Sequence, residues 1–165
     1  RAAYDPEGTN DFAEVLTKFN SDWVWGEPAR MTAKAFTNHG MPAYVYLFSY
    51  VPNLLKERMK YGAGHGSEVA YTFNNLGARW GVTTTTPEDE KLGISMNTYW
   101  VNFAKTGNPN GSQLLNWPLF STQKNEILEF ENSGIPVSKK DPTKERLDVI
   151  EKASNYRDKL QSRGI

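Results

Sequence analysis

The run Tyr44-Val45-Tyr46-Leu47-Phe48-Ser49-Tyr50-Val51, bounded by Pro42 and Pro52, sets the strongest limit on what this chain can fold into. Aromatic and β-branched residues follow one another almost without polar interruption, so the segment reads as a strand with both faces covered. Such a strand belongs to an α/β sheet. Glu126-Ile127-Leu128-Glu129-Phe130 is the one other strand pattern; it alternates with period two and reads as a half-exposed edge. One or two strands cannot make a sheet with two covered faces, so the pattern predicts that flanking strands come from outside these 165 residues.

The rest of the chain reads mainly as helix. Phe12, Val15, Leu16 and Phe19 share one face of a predicted helix over 11–20, with Asn10 as its cap. Asp22-Trp23-Val24-Trp25 restarts the pattern, and Pro28 opens a second helix that runs to about His39, a cation at its C-terminal end. Asp22 reads as a cap or as a buried, hydrogen-bonded carboxylate. Trp23 and Trp25 read as core, or alternatively as the lining of a ligand pocket. Thr86-Pro87-Glu88-Asp89 starts a long helix with the apolar stripe Leu92, Met96, Tyr99, Trp100 and Phe103, ending near Lys105 before Thr106-Gly107. Before it, 78–86 reads as a loop with four successive threonines. The segment 116–120 reads as an apolar loop that packs down. A last helix follows Asp141-Pro142, with Leu147, Ile150, Ala153 and Leu160 turned inward.

Composition removes several classes of function. The 19 basic and 19 acidic residues cancel, so there is no positive field of the kind nucleic acids require. No apolar run is long enough to span a bilayer. Without cysteine, thiolate catalysis, disulfides and zinc ribbons are excluded, and two histidines cannot build a histidine-rich metal site. The compartment stays open, because zero cysteines fit both cytoplasm and a disulfide-free secreted protein. The chain opens on Arg1 with neither an initiator methionine nor a signal stretch, the pattern of an internal start in a processed or nicked protein.

The chemistry gathers at Gly62-Ala63-Gly64-His65-Gly66-Ser67-Glu68. Glycines reach positive φ at little cost, so His65 is expected on a loop with its imidazole free to point at a reactant. The loop follows the carboxyl end of the apolar strand, where α/β proteins collect functional groups. Histidine is the side chain best suited to take and return a proton at neutral pH. Taken locally, the same motif also fits a plain surface turn. Ester hydrolysis by serine further needs a nucleophile on a strained turn, an orienting acid and oxyanion donors. No Gly-x-Ser-x-Gly elbow is present, and Ser49 and Ser67 lie where no elbow can form.

Four ordered blocks carry a resemblance. They are Asp22-Trp23-Val24-Trp25-Gly26-Glu27-Pro28, Pro42-Ala43-Tyr44-Val45-Tyr46-Leu47-Phe48, the His65 block through Tyr71-Thr72-Phe73, and Tyr99-Trp100-Val101-Asn102-Phe103-Ala104-Lys105-Thr106-Gly107-Asn108-Pro109-Asn110-Gly111 with Trp117-Pro118. Over roughly 4–130 the chain resembles the type B carboxylesterase and cholinesterase family of α/β-hydrolases. The resemblance implies that 1–165 is the C-terminal portion of a single catalytic domain rather than an independent one. It implies His65 as triad base, Glu68 as the buried glutamate that helps order the site, and a nucleophile and acid upstream. Trp25 stands where the family often has phenylalanine. A serine mechanism needs no metal or cofactor; the implied partners are an upstream segment or second chain of the same precursor and a small carboxylic ester. The family also contains inactive adhesion domains, which leaves protein binding as the alternative, and a freestanding structural domain as a third.

Overall fold

The computed structural model describes residues 2–78 and 84–162. They form two compact units. The first comprises 1–43, 120–125 and 140–165, and the second 44–119 and 126–139.

In the first unit, α1 (Phe12–Ser21) runs without a break through a π-helical turn, Asp22–Gly26, into α2 (Glu27–Asn38). Asp11, not Asn10, caps α1 by accepting from the Glu14 N–H; Asn10 instead takes a left-handed φ of 59°. The π turn, closed by Glu27 N–H donating to the Asp22 carbonyl, decides which side chains face inward. Asp22 and Glu27 are buried, whereas Trp23, Val24 and Trp25 are exposed. The core reading of the two tryptophans is thereby corrected. α1 forms as the spacing predicts, and none of its residues is buried. Of the two readings of Asp22, the buried, hydrogen-bonded carboxylate holds: its side chain accepts from Arg146 Nε at 2.8 Å, and Arg146 lies on α3 (Lys144–Ser162), the last helix. Gly26 permits this docking, since a Cβ there would stand 3.0 Å from Leu147 Cδ2. Leu147 and Ile150 are buried as expected, and Ala153 is exposed; the Leu160 side chain lies outside the described residues.

The second unit holds most of a three-stranded sheet in the order β1 (Tyr46–Phe48), β2 (Glu126–Phe130), β3 (Pro136–Lys140). β1 and β2 are parallel, with Tyr46 opposite Leu128 and Phe48 opposite Phe130. The roles expected of these two strands are reversed. β2 is central and buried from Ile127 to Phe130, while β1 is a short, partly exposed edge. Glu129 misleads the periodicity, because its carboxylate is buried against the Ser49 hydroxyl (2.5 Å) and the Lys139 ammonium (2.8 Å) instead of facing water. β3, an unpredicted third strand, supplies that lysine.

The long helix, α4 (Pro87–Thr106), covers one face of the sheet. Thr86 and Asp89 form a reciprocal capping box at its start, and Gly107 ends it at φ 74°. Residues 79–83 of the preceding threonine loop lie outside the described residues. Leu92, Met96 and Tyr99 are fully buried against Leu128 and Phe130, although Phe103 at the end of the stripe is exposed. The 116–120 segment packs down as expected, with Trp117 donating from Nε1 to the Val45 carbonyl at 3.0 Å. Among the described residues, no helix is long and apolar enough to cross a membrane.

Candidate active site

His65 lies on the turn that leaves the carboxyl end of β1. The chain passes from β1 through a 3-10 turn (Asn53–Leu55) into the glycine-rich loop, then into the short helix α5 (Val69–Thr72). Gly62 and Gly66 take φ of 108° and 74°, left-handed values that a side chain would strain. Ser67 N–H donates to the Gly64 carbonyl and Val69 N–H to that of Gly66, so the turn closes around His65 and feeds directly into α5. The His65 side chain is exposed, and the residues after it, Gly66 and Ser67, are buried. Ser67 Oγ has no hydrogen-bond partner among the described residues.

Glu68 stands half-buried at the N-terminus of α5. Burial, followed by the charge of Glu68, pushes the Tyr46 phenol up to about 12. Tyr46 therefore stays neutral across the physiological range and is the strand residue that senses the Glu68 carboxylate. Sequence reasoning missed it, since a tyrosine in an apolar strand gives no sign of the group it will face. Beside it, Tyr44, Tyr46, Tyr99, Trp100, Phe103, Pro109 and Trp117 line an apolar recess of about 150 Å³. Trp23 and Trp25 belong to the other unit.

Below the loop lies a second group that sequence reasoning had placed only as a helix start. Asp89 is buried and accepts from the hydroxyls of Tyr50 (2.8 Å) and Tyr71 (2.7 Å), and from the N–H (2.9 Å) and hydroxyl (3.1 Å) of Thr86. Burial raises the Asp89 carboxyl, but the Thr86, Tyr71 and Tyr50 donors outweigh it and hold the group below the ordinary carboxylate range. The same carboxylate, after burial, pushes both tyrosines upward.

A lowered folded-state pKa stabilises the protein above the unfolded value, about 3.9, and that stabilisation is lost as pH falls through the folded value. Wild-type stability is expected to fall on acidification below about pH 4, and Asp89→Asn, weaker at neutral pH, to show a smaller acid loss. Urea unfolding across that window checks it; parallel acid limbs would remove Asp89 from the account.

Among the described residues, no three His, Asp or Glu side chains gather to hold a metal ion. The arrangement offers an exposed imidazole on a glycine-closed turn, a half-buried carboxylate three residues on, and a hydrogen-bonded Asp89 cluster holding the helix that follows.

A model of the carboxylesterase family matches residues 2–150. The chain belongs to that family. Carboxylesterase 1C of Rattus norvegicus is 31% identical over 128 residues, covering 74% of this chain and 23% of the rat protein. Liver carboxylesterase 1 of Oryctolagus cuniculus is 36% identical over 119 residues, covering 70% and 20%. Among solved structures, the Geobacillus stearothermophilus carboxylesterase EST55 aligns with a TM-score of 0.57 and 28% identity, over 72% of this chain and 24% of its own. This carboxylesterase-family chain thus spans about a quarter of the length of these relatives, and its three strands and helices are part of an α/β-hydrolase fold.

Proposed function

We propose that residues 1–165 form the C-terminal portion of one α/β-hydrolase catalytic domain and supply the general base of a serine carboxylic-ester hydrolase. The observation that carries this reading is the placement of His65 on an exposed, glycine-closed turn beyond β1 in a carboxylesterase-family chain. His65 takes the proton from a serine hydroxyl as its oxygen bonds to the ester carbonyl carbon. It then hands the proton to the departing alcohol oxygen as the acyl–oxygen bond breaks. Water, deprotonated by the same imidazole, releases the acid and regenerates the serine.

The serine, the triad acid and the oxyanion donors belong to the upstream segment, or to a second chain of the same precursor. Among the described residues β1 pairs with β2 alone, and its other edge gives that segment a strand to extend. Glu68, half-buried at the start of α5, orders the loop from its helical end. Trp23 and Trp25 offer exposed apolar surface to the segment or the ester substrate that covers them.

A fluorophosphonate probe applied to the full-length protein is expected to label one serine outside 1–165 in an activity-dependent manner. A protein that binds no probe and hydrolyses no ester would support the inactive, protein-binding reading instead.

A further inference from the structure

α4 meets the His65-bearing segment along one line. Asp89, Gly93 and Asn97 are spaced four apart, on a single helix face. Each makes a different contact with α5 or its exit. Asp89 accepts from Tyr71, and Asn97 Nδ2 donates to the Thr72 carbonyl at 2.9 Å. Gly93 leaves space for Asn74, whose Oδ1 lies 2.7 Å from where a Cβ on Gly93 would stand. Asn74 turns the chain out of α5 at φ 48°.

α5 transmits this anchoring toward the histidine through a continuous ladder. Tyr71 and Thr72 N–H groups donate to the Glu68 carbonyl, Val69 to Gly66, and Ser67 to Gly64. A four-residue helix holds few bonds of its own, so its position is set by what it packs against. The His65 turn is thus joined to α5 by an unbroken run of backbone hydrogen bonds.

We propose that Asp89, Gly93 and Asn97 are positioning residues that set the reach of His65 through α5, an inference that rests on His65 being the general base. Proton transfer requires the imidazole within hydrogen-bond distance of its partner, and a misplacement of about 1 Å can cost up to ~100-fold in rate.

The test uses the full-length hydrolase, assayed with a simple aryl ester well below its melting temperature. Asn97→Ala removes the anchor on the Thr72 carbonyl and introduces no new atoms, and kcat is expected to fall about ten- to a hundredfold with KM unchanged and the far-UV spectrum native. Gly93→Leu, whose branches meet Leu76 (Cδ1 3.5 Å and Cδ2 3.6 Å from the Cβ position) as well as the rotatable Asn74 amide, should lower kcat in the same way. Wild-type kcat in a folded Asn97→Ala protein, or in a folded Gly93→Leu protein, overturns the proposal. An inactive His65→Ala alongside that result would show that positioning alone had failed; an active one overturns both the base and its positioning.

Discussion

Replacing His65 with alanine is expected to reduce ester turnover in the full-length protein by about 10⁴- to 10⁶-fold, while its thermal unfolding stays close to wild type. The large kinetic effect follows from the role: without the imidazole, the serine must lose its proton to water and the alcohol must leave unassisted. The small structural effect follows from the site. His65 is exposed, and the turn is closed by the backbone bonds of Ser67 and Val69 and by the positive-φ glycines on either side. None of these closing bonds uses the imidazole. Stopped-time hydrolysis of an aryl ester with a parallel melting curve measures both quantities. Turnover within about tenfold of wild type would exclude His65 as the base.

Arg30→Ala is expected to produce the largest loss of stability, about 3–5 kcal/mol. Arg30 is 3% exposed and ties α2 to the last helix: Nε to Glu27 at 2.7 Å, Nη1 to Asp148 at 2.7 Å and Nη2 to Glu151 at 3.2 Å. The consequence of losing it falls mainly on Glu27, which is 2% exposed. Burial already raises the Glu27 carboxyl, opposed chiefly by the bond to Arg30 and its charge. Removing the guanidinium leaves a buried carboxylate with its strongest counter-charge gone. The pH dependence has a definite sign. A carboxyl whose folded pKa is raised stabilises the fold below its unfolded value and loses that contribution as pH rises through the folded value. The variant should therefore regain stability as pH falls toward about 4, whereas a neutralised Glu27→Gln partner should flatten that dependence. Urea titrations at several pH values test both points. A loss below about 1 kcal/mol would mean that the network contributes no more than an ordinary surface ion pair.

These cases mark where the sequence was legible. α4 could be read almost residue by residue, because its information is local: a capping threonine, a proline in the first turn, an apolar stripe and a terminal glycine. The His65 turn was legible for the same reason, its glycines occupying the positive-φ positions that the loop requires. Reading failed where a residue's environment depends on a distant partner. Glu129 looked like the outward half of an edge strand, yet Ser49 and Lys139 make it an inward one. Asp22 left two readings open, a cap or a buried, hydrogen-bonded carboxylate, and only Arg146, from across the chain, decides for the second. Of the two readings of Trp23 and Trp25, core or pocket lining, the core reading failed because a π turn leaves both exposed.

The sequence by itself determined the family and the position of the histidine on its loop, since each rests on short-range backbone preference or on ordered motifs. Only the tertiary structure decided which strand is central, which carboxylates are buried and what lies under the His65 loop. Those outcomes depend on pairs such as Tyr71 with Asp89 and Arg30 with Asp148, 18 and 118 residues apart. Burial of a charge is decided by whether a partner arrives, and no local pattern records that arrival.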